Sequence, residues 1–117
     1  MSIENRIERI LKRSGHEYDV KSVLTMIENK QIYAFEFQST LILIEVQTFP
    51  AKKVLHVWGM EGDGTLLQLP AIVQWVKELA VALGCDELRC QGRTGWVRAL
   101  RSHGARPLYT TMVLELS

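Results

Sequence analysis

The chain has 117 residues, with 14 Lys and Arg against 13 Asp and Glu, a net charge of +1, and 47% hydrophobic residues. That length suits one domain, 1–117, with a core of its own. The near-neutral charge argues against a protein whose main role is non-specific nucleic-acid binding. No run approaches the roughly eighteen apolar residues of a membrane span, and no secretory leader opens the chain, so the expectation is a cytoplasmic protein without membrane association.

Elements are read in order. Ser2 can cap a short first helix, with Ile3, Ile7, Ile10 and Leu11 on one stripe and Arg6, Glu8, Arg9, Lys12 and Arg13 towards water. This helix, ending at Ser14-Gly15, reads as an N-terminal arm over 1–15 laid on the domain. Tyr18 to Lys30 reads as a second helix, with Asp19 as its cap and Val20, Val23, Leu24 and Ile27 as its apolar face. Ile32 to Phe37 is a strand with Tyr33, Phe35 and Phe37 at period two. Leu41 to Val46 is a near-continuous apolar strand, which implies cover on both faces. Glu45 interrupts it, as a carboxylate either at a wet edge or held in a cleft. Lys53 to Trp58 is a third strand. Short turns between these three strands imply an antiparallel meander.

Gly59 to Gly64 reads as a glycine-rich loop, and Leu69 to Leu83 as a helix with Pro70 in its first turn. Gly84 follows as a left-handed cap. Glu87 to Gln91 is a strand, Thr94 to Gly104 a last helix, and Tyr109 to Leu116 a final strand by its alternation. The fold class is α/β (α+β), a mixed sheet of about five strands, the meander being followed by helix-strand-helix-strand.

Chemistry-bearing residues are sparse. Cys85 and Cys90 are read as core thiols, too far apart along an extended segment for a bridge, which suits a reducing compartment. His16, His56 and His103 lack ligand spacing, so no metal site is expected. His56 on a central strand is a candidate general base, with Glu45 or Tyr109 near it. A glycine-rich loop between strand and helix can offer amides to a phosphate, though Glu61 and Asp63 carry the opposite sign to one that welcomes an anion. Arg93, between Gly92 and Thr94-Gly95, can grip a phosphate or carboxylate. Arg98 and Arg101 read as solvated flanks.

The element order, the loop Gly59 to Gly64 and the segment Gly92 to Ala105 resemble the GNAT superfamily of N-acetyltransferases. That family cradles the pyrophosphate of acetyl-CoA on a Gln/Arg-x-x-Gly-x-Gly/Ala loop. Gly59, Gly62 and Gly64 take those places here, without the leading Gln or Arg. The resemblance implies acetyl-CoA as cofactor, with the backbone of Val57 and Trp58 beside pantetheine and the glycines beside pyrophosphate. Leu100 stands where the family often has the tyrosine that protonates the leaving thiolate. Tyr109 is then the candidate replacement, and Glu45 the candidate base for an amine.

More narrowly, Phe49-Pro50, Gly84-Cys85 and Gly92-Arg93-Thr94-Gly95-Trp96, in this order, resemble small GNAT-like proteins of tailed bacteriophages and prophages. Two functions follow from the resemblance. One is a non-catalytic protein acting through contacts with a phage protein or a second copy, in the host cytoplasm or with the virion. The other is an acetyl-CoA-dependent N-acetyltransferase. The family's usual first strand ahead of the first helix is absent, which implies an open sheet edge suited to pairing in a homodimer.

Overall fold

The computed structural model describes residues 2–12, 17–63, 65–91, 94–109 and 111–116. Helix α1 runs Ile3–Leu11, and the Ser2 hydroxyl accepts the Asn5 N–H at 3.3 Å, as a capping serine should. Its apolar stripe delivers Ile7, Ile10 and Leu11 to the core. Helix α2 runs Val20–Glu28, and Asp19 Oδ1 accepts the Ser22 N–H at 2.7 Å and the Ser22 hydroxyl at 2.7 Å. The hydroxyl bond, foremost, holds the Asp19 carboxyl below its ordinary value.

Strands β1 (Tyr33–Phe37), β2 (Thr40–Thr48) and β3 (Lys53–Glu61) form the expected antiparallel meander. Strand β4 (Glu87–Cys90) joins β3 in parallel after helix α3 (Thr65–Ala82), giving the order β1-β2-β3-β4. Helix α4 (Thr94–Arg101) follows. The sheet is covered on both faces, which explains the unbroken apolar run of β2. Leu41 and Leu43 pack with α1 and α2, whereas Ile42 and Ile44 pack with Ile72, Val76 and Ala80 of α3. Trp75 of α3 meets Phe35 edge-on at 5.4 Å and Phe37 at 5.9 Å between ring centroids, using the period-two aromatics of β1.

The link from α3 to β4 is tightly held. Gly84 takes φ +73°, and the Cys85 N–H returns to the Ala80 carbonyl at 2.9 Å, closing the helix as a glycine cap does. Lys53 Nζ donates to the Leu83 carbonyl at 2.6 Å, placing a cation at the negative end of α3. The Asp86 N–H donates to the Lys53 carbonyl at 2.7 Å and Asp86 Oδ2 accepts the Lys53 N–H at 2.9 Å. This reciprocal pair starts the parallel register at Val54↔Glu87.

Four expectations are corrected. Helix α3 begins at Thr65 and not Leu69, so Pro70 lies inside it and removes one helical donor there. Strand β3 runs on to Glu61, so Gly59, Met60 and Glu61 are strand, not loop. Cys85 is half-buried against the α3 side of the core, but Cys90 is exposed on the last strand of the sheet. The final strand is not formed: none of the described residues from Ala105 to Leu116 belongs to a regular element, and the sheet has four strands. A strand needs a partner edge, and this segment makes no backbone hydrogen bond to a described residue beyond Ala105.

Candidate functional site

The site begins with a fault in the β2–β3 ladder. Ile44 faces Val57, but Leu43 faces Gly59, so Trp58 is an extra residue with no register partner on β2. A bulge of this kind puts two successive side-chain positions on one face. Leu55, Val57 and Met60 pack towards α3. His56 therefore points to the opposite face by the pleat, and both Trp58 and Gly59 lie on that face too, against the α1–α2 side.

The bulge accounts for Gly59. A Cβ there would stand 2.5 Å from Ile10 Cγ2 of α1, so helix and strand approach as closely as they do only because the side chain is missing. Gly62 has a similar reason: a Cβ would lie 2.7 Å from the Ser39 carbonyl oxygen and 2.9 Å from Thr40 Cα. The protein's own atoms fill the space beside both glycines. Gly64 and Arg93, also read as cofactor contacts, lie outside the described residues.

Glu61, which looked ill-suited to an anion loop, is engaged elsewhere. Arg6 Nε donates to Glu61 Oε2 at 2.7 Å, and Arg9 Nη1 to Oε1 at 3.1 Å. Arg6 also donates to Glu36 Oε1 at 2.8 Å and to the Ser39 carbonyl at 2.7 Å. The Arg6 hydrogen bond is the main reason that the Glu61 carboxyl is held below its usual value, and the same contacts raise Arg6. Arg6 was expected to face water. Its side chain is 16% exposed and ties α1 to the β1–β2 turn and the end of β3.

On the same face, Glu45 and His56 are register partners on β2 and β3, and Arg89 is the partner of His56 on β4. Glu45 is half-buried on an interior strand, not at a wet edge. Its Oε1 accepts from Gln47 Nε2 at 2.9 Å and from Trp58 Nε1 at 3.1 Å. The Trp58 ring lies against Tyr18, with centroids 4.7 Å apart. His56 is lowered from its ordinary value, first by loss of hydration, with Arg89 adding to the effect and Glu45 opposing it. The imidazole is thus neutral near pH 7 and can accept a proton.

Arg89 lies over the Phe49 ring, 5.6 Å from its centroid, and donates to Glu87 Oε2 at 2.8 Å. Lys52 Nζ reaches Glu87 Oε1 at 2.6 Å. Those hydrogen bonds, that of Lys52 first, bring the Glu87 carboxyl down to about 2.

Of the three candidate catalytic residues, the fold brings Glu45 and His56 together. Tyr109 is not joined to them: it is 71% exposed in the C-terminal segment, without a hydrogen bond or ring contact to a described residue. Val57 is buried towards α3. Trp58 contributes a side chain to the polar face, where only its backbone was expected to matter. Sequence reasoning missed Arg89, Gln47 and Tyr18. Period-two counting from His56 on paired strands could have found Arg89; nothing local signals Tyr18. Among the described residues no cluster of three or more His, Cys, Asp or Glu could hold a metal, and no helix is long and apolar enough to cross a membrane.

The fold is shared with solved structures. An acetyltransferase of Trypanosoma brucei matches with a TM-score of 0.64 at 17% identity, over 98% of this chain and 96% of its own. A probable acetyltransferase matches with a TM-score of 0.69 at 13% identity, over 98% and 90%. A protein of Thermus thermophilus gives 0.59 at 17% identity, over 99% and 95%. No family model matches the chain, and no curated protein matches it. The likeness is one of fold: a mixed α+β domain with a four-stranded sheet, shared with these acetyltransferase structures.

Proposed function

We propose that this chain is a GNAT-like protein that acts through protein contacts and not as a catalyst. The observation that carries this reading is the C-terminal segment. Met112, Val113, Leu114 and Leu116 are 86%, 81%, 87% and 95% exposed, and an apolar run of that extent marks an interaction surface. The spaces beside Gly59 and Gly62 give further support. Ile10 and the β1–β2 turn occupy them, so packing alone accounts for both glycines. Tyr109 is also apart from the Glu45–His56 pair. The resemblance to small phage and prophage proteins supports the same reading, with the protein in the host cytoplasm or associated with the virion.

A second reading, an acetyl-CoA-dependent N-acetyltransferase, is favoured by one specific arrangement. Strand β3 continues to Glu61, but its parallel pairing with β4 stops at Val57↔Cys90. The bulge at Trp58 sits just past that last pair, beside Glu45 and neutral His56. Their pairing supports a role in orienting an amine and taking its proton.

Calorimetric titration of the whole chain with acetyl-CoA and with CoA separates the two. The expected result is no saturable heat and no thermal stabilisation at millimolar ligand. Micromolar binding of about one cofactor per chain overturns the non-catalytic reading in favour of the enzyme.

A further inference from the structure

Three strands present one polar row on the α1–α2 face. Glu45 of β2, His56 of β3 and Arg89 of β4 stand side by side in the register, and each is half-buried. The protein fixes both ends of this row and leaves their outer atoms unused. Glu45 accepts from Gln47 and Trp58, but both donors take Oε1. Arg89 lies over Phe49 and donates from Nε to Glu87. Among the described residues, Glu45 Oε2, the ring nitrogens of His56 and both Nη atoms of Arg89 have no hydrogen-bond partner. Side chains held in place with their polar atoms open are what a binding site requires. We propose that this row binds a short zwitterion, its ammonium on Glu45 Oε2 and its carboxylate on the Arg89 Nη atoms, with His56 between them.

Charge, chemistry and spacing agree on that ligand. Glu87 is shared by Lys52 and Arg89, so positive charge is in excess at the β4 end, while Glu45 makes the β2 end negative. A dipolar ligand satisfies both ends. A simple anion meets Glu45 as a like charge, and a simple cation meets Arg89 as one. The paired Nη atoms of an arginine match a carboxylate. A neutral imidazole carries one donor and one acceptor, so His56 serves either half of the ligand. At the ammonium end the rings of Tyr18 and Trp58 lie 4.7 Å apart, and Tyr18 is 44% exposed; aromatic faces favour a cation beside them. Neighbouring strands are about 4.8 Å apart, so Glu45 and Arg89 rise from backbones about 10 Å apart. For side chains upright on the sheet, two hydrogen bonds of about 3 Å leave about 4 Å between the ligand's charged groups. That is the span of a short amino acid.

The proposal goes beyond the protein-contact reading and needs no cofactor, so it is tested without CoA. NMR titration of the isotope-labelled full chain follows the Trp58 indole and His56 ring signals. The probes are β-alanine, glycine and 4-aminobutyrate, which vary the charge spacing, and propylamine and propionate, which each lack one charge. β-Alanine is expected to shift both signals saturably at millimolar concentration, with propylamine and propionate at least about tenfold weaker. Glu45→Gln and Arg89→Gln are each expected to weaken β-alanine by at least about tenfold. Arg98→Gln, at an exposed position outside the row, is expected to leave it unchanged. No saturable shift from any of the zwitterions overturns the proposal. So does equal binding by a single-charge analogue, or undiminished binding by both row variants. The single-charge comparison uses the unaltered chain and decides the matter where a variant fails to fold. The cofactor titration is read separately: CoA binding without zwitterion binding sinks both readings, and zwitterion binding without CoA leaves the protein-contact reading standing.

Discussion

Strand β2 and the segment Thr111 to Leu116 look alike as sequence. Each mixes β-branched residues with leucine and carries one glutamate. In the structure Ile42, Leu43 and Ile44 are at most 1% exposed, while Met112, Val113 and Leu114 are at least 81% exposed. The difference is in what each segment meets. Strand β2 has a strand on either side and helices on both faces. The C-terminal segment has neither among the described residues. Alternation reports that a segment can be a strand; burial requires that another element offer an edge and a face.

The largest expected effect tests the buried member of the comparison. Leu43→Ala should cost about 2–5 kcal/mol in urea unfolding, since Leu43 is fully buried between β-sheet and α1–α2. Next is Gly59→Ala, expected to cost about 1–3 kcal/mol by overpacking, because the new Cβ meets Ile10 Cγ2 at 2.5 Å. In an Ile10→Leu background, which removes that branch, the same change should cost measurably less. If the cost is unchanged, the glycine is needed for something other than packing, and the cofactor reading of Gly59 revives.

Arg6→Ala should cost about 1–3 kcal/mol, because Glu61, with its side chain only 11% exposed, loses its shorter hydrogen bond. An effect no larger than that of Arg9→Ala would show that the Arg6 contacts are solvent-screened like an ordinary surface pair.

A smaller effect concerns pH. His56 is lowered from 6.5 in the folded chain, so the unfolded state binds more protons between its two values. The stability His56 contributes is present above about 6.5 and is lost as pH falls through that window towards the folded value. His56→Gln should flatten the unfolding curve there. Glu87 acts lower: it falls from 4.5 to about 2, so its contribution is present above the unfolded value and lost as pH falls through the folded one.

The smallest effect is at the exposed member. Leu114→Ala should change stability by less than about 0.5 kcal/mol, because Leu114 is 87% exposed. A large effect would mean that the segment packs on its own sheet.

Much of the fold was legible because it is local. The caps at Ser2 and Asp19, the cap at Gly84, the meander and the crossover to Glu87 all follow from spacing and turn chemistry within a few residues. Of the candidate site, Glu45 was one of two neighbours that the sequence offered for His56, the other being Tyr109, and the β2–β3 register sets Glu45 opposite it. Arg89 was not, since its place depends on how β4 is laid beside β3.

The sequence by itself determined where helices and strands can form and which of their faces are apolar, because those properties depend on near neighbours. Only the tertiary structure decided that Trp58 is bulged, that Gly59 serves Ile10, that Glu61 belongs to Arg6, and that the last apolar run is left without a strand partner among the described residues of its own chain. Each of those outcomes is set by atoms brought together from distant parts of the sequence, where spacing along the chain carries no information about distance.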